Sequence, residues 1–296
     1  MTLSENYQQL RAALTPGLAN PDDSLEEVRQ KMHAIHPTEI PDDATVETLH
    51  DYPVSTVSVQ TPAVTNRDSA VMMVHGGAFV STQIPHYIPY ATALSRYFKR
   101  QVIIFDYRLA PEHPFPAALD DSEAVYRSLL ETFTPSRLAI IGDSCGGGIA
   151  LSLLCRLRDS DLPLPAAYAG LSPWLDLEMT GDAAMQDRGE DPFVCAPWIR
   201  QRGLDYAGSA EPGDPRLSPL HADFSGLPPL FFATGSEDIT RDDSRRAHRK
   251  ALSHGVHSEL DLAPHMIHGY HGLSALAPEC SVGCERIAAF IDHWLE

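Results

Sequence analysis

The chain is short of positive charge. Its 296 residues include 22 Lys and Arg against 40 Asp and Glu, a formal net charge of −18 with the 14 His taken as neutral. A field of that sign repels polyanions, so neither a nucleic acid nor an anionic membrane surface is expected as a partner. Long apolar runs are missing too, and none approaches the length that spans a bilayer. The cysteines are few: Cys145, Cys155, Cys195, Cys280 and Cys284 form an odd set with no Cys-x-x-Cys pair. That excludes a disulfide framework and predicts free thiols in a reducing compartment. Met1–Leu10 carries no basic stretch followed by an apolar one, so the cytoplasm is the expected location. No repeat of fixed period and no low-complexity segment occurs, which sets solenoids and arrays aside. What is present is an ordinary globular composition, 43% hydrophobic and 21% charged, able to bury a sizeable core.

Short β-branched or apolar runs bounded by turn residues occur at Val54–Val59, Ala70–Val74, Gln101–Phe105, Leu138–Ile141, Ala166–Leu171, Leu230–Thr234 and Ser258–Leu262. These read as strands. Apolar residues at three- and four-residue spacing predict helices over Ile88–Lys99, Ala117–Glu131, Gly147–Arg158, Asp242–His254 and Cys284–Trp294. The alternation implies an α/β fold with a parallel sheet and right-handed crossovers. Two stretches interrupt it. Residues 1–50 are helical in pattern around Tyr7–Leu14 and Ser24–Ile35, and residues 176–229 are proline-rich with a helix near Ala196–Asp205. Both are expected to form a helical cap over a catalytic domain spanning 51–296.

The sharpest local signal is the apolar run Leu138–Ile141 entering Gly142-Asp-Ser-Cys-Gly146 and then a helical pattern. A strand-to-helix turn this tight strains the residue at its apex, and small residues two before and two after it keep neighbours from colliding. Ser144 is thereby exposed as a nucleophile, with the following helix N-terminus aimed at a developing oxyanion. A phosphate-binding glycine loop is the competing reading, but no Lys-Ser/Thr follows the glycines. A Gly-x-Gly-x-x-Gly dinucleotide spacing is not met either.

A second strand empties into His75-Gly76-Gly77-Ala78-Phe79. Amides of Gly76, Gly77, Ala78 and Cys145 are the candidate oxyanion donors, with His75 holding the loop rather than moving protons. A serine needs a base, and the base needs an orienting carboxylate. His268 is the preferred base, because its loop follows the last strand. His265 and His271, three residues to either side, leave a metal site as an alternative. Asp238, after the Leu230–Thr234 strand, is the preferred acid, and Glu237 is its runner-up. In Asp106–Pro116, Arg108 and Glu112 are expected to pair and to act as scaffold. Phe79, Trp174, Phe193, Trp198 and Tyr206 are candidates for a substrate pocket or for core.

Taken together, His75–Phe79, Asp106-Tyr-Arg-Leu-Ala-Pro-Glu-His-Pro-Phe-Pro116, Gly142–Gly146 and the order Ser144, Asp238, His268 resemble the hormone-sensitive-lipase-like family of bacterial esterases, in the α/β-hydrolase superfamily. The resemblance runs from about Asp51 to the C-terminus. It implies a mostly parallel eight-stranded sheet under a helical cap, hydrolysis of short-acyl carboxylic esters without cofactor or metal, and a possible homodimer through the sheet edge. The family usually has glycine where this chain has Ala78 and alanine where it has Cys145. That thiol is expected to narrow the acyl pocket and to confer sensitivity to thiol reagents. A lactone hydrolase or an amide deacetylase uses the same triad and stays open as an alternative. A silent binder, as in the plant gibberellin receptors that resemble this fold, is disfavoured by the presence of His268.

Overall fold

The computed structural model describes residues 3–14, 19–186 and 191–295. Among them an eight-stranded sheet is built from β1 (Thr45–Thr48), β2 (Thr56–Gln60), β3 (Ala70–Val74), β4 (Gln101–Phe105), β5 (Leu138–Asp143), β6 (Ala167–Leu171), β7 (Leu230–Gly235) and β8 (Ser258–Ala263). Its order is β1-β2-β4-β3-β5-β6-β7-β8. β2 runs against both β1 and β4, and the remaining neighbours are parallel.

The central strands read as continuous apolar runs because helices cover both faces. Along β3, Ala70, Met72 and Val74 point into one core, while Val71 and Met73 point into the other, the two-residue alternation of a pleated strand. The first core is closed by α4 (Ala117–Leu129), α5 (Cys145–Asp159) and α8 (Arg241–Ser253), the second by α3 (Ile84–Phe98) and α9 (Pro278–Trp294). Fully burying side chains such as Met72, Ile140 or Phe232 contributes about 2 kcal/mol each.

The seven strands read from the sequence are all present, and β1 is the addition. Its four residues, Thr-Val-Glu-Thr, are mostly exposed and lack an apolar alternation, so only pairing with β2 defines the strand. It lies inside the 1–50 stretch assigned to the cap. α3 begins four residues earlier than expected, since Pro85 falls in the first turn, where its missing N–H costs nothing. α9 likewise starts at Pro278.

Four helices stand over the C-terminal ends of the strands: α1 (Glu5–Ala13), α2 (Leu25–Ile35), α6 (Asp182–Gln186) and α7 (Ala196–Ala207). Ser24 and Glu27 cap α2 reciprocally. Tyr7 of α1 is fully buried. Its hydroxyl donates to the His265 carbonyl at 3.0 Å and accepts from the Ile267 amide at 3.2 Å, seating the cap on the loop that carries His268. No described helix is long and apolar enough to cross a membrane.

Candidate active site

β5 ends at Asp143 and α5 begins at Cys145, so Ser144 alone makes the turn, with φ 53° and ψ −122°. That conformation costs a non-glycine residue about 1–3 kcal/mol. The turn closes because Gly142 and Gly146, two residues to either side, have no side chains. A Cβ on Gly146 would sit 2.2 Å from the Val74 carbonyl oxygen, and one on Gly142 would sit 2.4 Å from the Gly146 oxygen. The Ser144 amide donates to the Leu171 carbonyl at 2.9 Å, tying the turn to β6.

Two loops from distant parts of the chain meet this serine. His268 Nε2 lies 2.8 Å from Ser144 Oγ, and His268 Nδ1 lies 3.0 Å from Asp238 Oδ1. A carboxylate only accepts, so in the neutral imidazole Nδ1 carries the proton and Nε2 is left to accept from the hydroxyl. Asp238 also accepts from the Thr240 amide and hydroxyl at 2.8 and 2.9 Å and from the Thr234 hydroxyl at 2.9 Å. Burial alone would raise its pKa, but the charge and hydrogen bond of His268, the Thr240 amide and the Ser172 hydroxyl hold it below the usual carboxylate range. Burial would likewise lower His268. The charge and hydrogen bond of Asp238, with the charges of Asp191 and Asp143, outweigh it and hold the imidazole above its ordinary value.

The glycine loop after β3 folds back beside Ser144, with Gly77 at φ 107°, Ala78 at 53° and Phe79 at 67°. Gly77 and Ala78 line the cavity over the serine. Gly76 departs from the expectation, because its amide already donates to Tyr87 Oη at 2.8 Å and Tyr87 in turn donates to Asp143 Oδ2 at 2.7 Å. This relay ties the loop to the residue before the nucleophile. His75 is buried, stacked on Tyr107 at 4.1 Å between ring centroids, with Nδ1 2.8 Å from the Gly76 carbonyl oxygen. Burial drops its pKa to about 4, the state of a loop-holding imidazole and not of a base.

The cavity is predominantly apolar and encloses about 290 Å³. Its floor holds Ser144, Asp143 and His268, and its walls come from the cap (Leu14, Met32, Ile35, Phe193, Trp198) and from α3 (His86, Tyr87, Tyr90). Of the pocket candidates, Phe193 and Trp198 line it. Phe79 and Trp174 do not: both are buried in the core, Phe79 stacked on Tyr206 at 3.9 Å and Trp174 donating to the Asp176 carbonyl at 2.9 Å. Tyr206 is core with them. Spacing along the chain cannot separate a wall aromatic from one packed behind it.

Other expectations are corrected by contacts from remote segments. Arg108 pairs with Asp121 at 2.8 Å, not with Glu112, which is taken by Arg29 of the cap helix α2 at 2.7 Å. Glu237 is held by Arg11 and His265, so it does not face His268. His265 and His271 do not join His268 in a ligand set, since His265 is exposed and the groups gathered near His268 are Asp191 and Asp238. Cys145 is buried behind the glycine loop rather than in the cavity wall. The Phe79 amide donates to its sulfur at 3.2 Å, and burial pushes the thiol up to about 12. Asp191 and Tyr87 escaped the sequence reading. Tyr87 lies just before the helix expected from Ile88, and Asp191 sits in a proline-rich insertion without periodicity.

This geometry has counterparts. A family model described as alpha/beta hydrolase fold matches residues 71–272. The chain belongs to the α/β-hydrolase family. Among curated α/β-hydrolase relatives, an acetyl-hydrolase of Streptomyces hygroscopicus is 34% identical over 222 residues, covering 75% of this chain and 74% of the relative. An esterase of Acinetobacter venetianus is 35% identical over 223 residues, covering 74% and 73%. Among solved structures, an esterase of the bacterial hormone-sensitive lipase family superposes with a TM-score of 0.92 at 31% identity, covering both chains completely. The EstE5 crystal soaked with p-nitrophenyl butyrate gives 0.92 at 32%, covering 99% of each chain. The chain is therefore a hormone-sensitive-lipase-like α/β-hydrolase, and the fold implied by its motifs is the fold observed.

Proposed function

We propose that the chain is a carboxylesterase for short-acyl esters, with Ser144 as nucleophile, His268 as base and Asp238 as orienting acid. The observation that carries the reading is the pair of contacts at 2.8 and 3.0 Å linking Ser144, His268 and Asp238 at the floor of an apolar cavity. Ser144 Oγ attacks the ester carbonyl carbon while its proton passes to His268 Nε2. The carbonyl oxygen becomes an oxyanion, received by the amides of Gly77, Ala78 and Cys145, each worth about 3 kcal/mol of barrier. The C–O bond to the alcohol then breaks as His268 protonates the leaving oxygen. Water, deprotonated by the same imidazole, releases the acid and restores Ser144. Asp238 keeps Nδ1 protonated and stabilises the imidazolium. Substrate binding draws on cavity walls that are mostly aliphatic and aromatic, which favours an uncharged acyl or alcohol group.

Free thiols support a reducing, cytoplasmic setting, and the edge position of β8 supports a homodimer paired through it. The test is turnover of p-nitrophenyl acetate, butyrate, octanoate and palmitate by wild type and Ser144→Ala. Hydrolysis confined to the short esters and lowered at least about 10³-fold by the substitution is expected. Retention of wild-type rates by Ser144→Ala would sink the assignment.

A further inference from the structure

Asp191 lies in the cap insertion, far in sequence from the nucleophile and the base, yet both of its carboxylate oxygens are engaged at the site. Oδ2 accepts from the backbone amides of His268 at 3.1 Å and Ile239 at 3.2 Å, the residue after Asp238. Oδ1 accepts from the amides of Phe193 at 2.9 Å and Val194 at 3.4 Å, both of which line the cavity. A single buried carboxylate thus bonds the base loop, the acid loop and the pocket wall. We propose that Asp191 is a positioning residue for the reaction, joining the cavity wall to the loops of Asp238 and His268 and adding a second negative charge behind the imidazole; this rests on the serine-esterase reading above.

The physical case has two parts. Among the described residues, Asp191 accepts from four neutral backbone amides, and burying a carboxylate on such donors is costly. Its carboxylate oxygens lie within 4.8 Å of the facing atoms of Asp238 and His268, where the negative charge stabilises the imidazolium that forms as Ser144 attacks. Among the described residues, the groups around this centre include Asp238 after β7, Asp143 at the end of β5, His271 after the base, and Arg241 at the start of α8, whose guanidinium donates to the Asp238 carbonyl at 3.1 Å. Burial first, and the Asp238 charge second, raise Asp191 to about 6, so it is ionised at neutral pH and above. Burial holds His271 near 3 and therefore neutral.

The experiment compares kcat/KM against pH for wild type, Asp191→Asn and Asp191→Glu on p-nitrophenyl butyrate. Asp191→Asn is expected to lower the plateau about tenfold through misplaced loops and to move the acid limb down by about one pH unit, since the base loses a stabilising charge. Asp191→Glu keeps the charge and is expected to leave the limb in place. A limb that does not move in Asp191→Asn overturns the proposal and leaves Asp191 as a structural tie. If Asp191→Asn does not fold, Ser144→Ala with Asp191 intact supplies the readout by NMR. The amides of His268 and Ile239 should then shift together in one step near pH 6, and absence of a common step overturns the proposal. Loss of turnover in Ser144→Ala tests the esterase reading separately, so either reading can fail alone.

Discussion

Ser144 Oγ has the His268 imidazole at 2.8 Å, whereas the thiol one residue later has no route to solvent and no base. Its polar neighbours include the Phe79 amide at 3.2 Å, Tyr107 Oη at 3.8 Å and the Ala78 amide, and burial keeps the thiol protonated at working pH. The sensitivity to thiol reagents expected from Cys145 is therefore not expected from the fold. Iodoacetamide at about pH 8 should leave ester turnover unchanged, because alkylation needs a thiolate. An inactivation that Cys145→Ala abolishes would refute this. Ser144, Asp238 and His268 were legible because each follows a recognisable strand, and β-α-β order brings such strand ends to one edge. Phe79, Trp174 and Asp191 were not, because which way a side chain faces depends on segments far away in sequence.

At the scale of elements, the helix α2 is tied to the loops after β3 and β4 through Arg29. Arg29 Nε donates to the Val80 carbonyl at 2.8 Å, its Nη2 to the Ala110 carbonyl at 3.3 Å, and both terminal nitrogens to Glu112. The ion pair is half-exposed and worth well under about 1 kcal/mol, while the bonds from a charged donor to two carbonyls contribute about 1.5–3 kcal/mol each. Arg29→Ala should destabilise the protein by at least about 3 kcal/mol and loosen the helix that presents Met32 and Ile35 to the cavity. KM should rise several-fold with kcat little changed, as steady-state kinetics on p-nitrophenyl butyrate would register. A fall in kcat alone would place α2 in the chemistry instead. Periodicity located α2 and α7 to within a few residues, but the pairing of Arg29 with Glu112, and so of Arg108 with Asp121, is tertiary.

Across the whole molecule, stability and activity should respond to pH in opposite directions. Burial raises Asp143 and Asp191 to about 6 and lifts Asp243 well above the usual carboxylate value. Between the unfolded and folded values the native state binds protons that the unfolded state does not, so stability falls as pH rises through that window. His268, held above its ordinary value mainly by Asp238 against its burial, adds stability that is present below the unfolded imidazole value and lost as pH climbs through the folded one. A net charge of −18 at neutral pH adds self-repulsion in the same direction. Tm by calorimetry should therefore decline from about pH 5.5 to about pH 9, while kcat/KM rises with the neutral imidazole. A Tm that climbs across that range would contradict the assignment of these carboxylates.

The amino-acid sequence determined the α/β alternation, the strained turn at Ser144 and the order of Ser144, Asp238 and His268 after their strands, because each is a local rule of periodicity, glycine placement or strand ending. It did not determine that Gly76 donates to Tyr87, that Phe193 and Trp198 rather than Phe79 and Trp174 face the cavity, that four mostly exposed residues form β1, or that Asp191 bonds the loops of Asp238 and His268. Those depend on contacts across tens to hundreds of residues. Only the packed fold decides them, since burial and hydrogen-bond satisfaction are properties of neighbours in space.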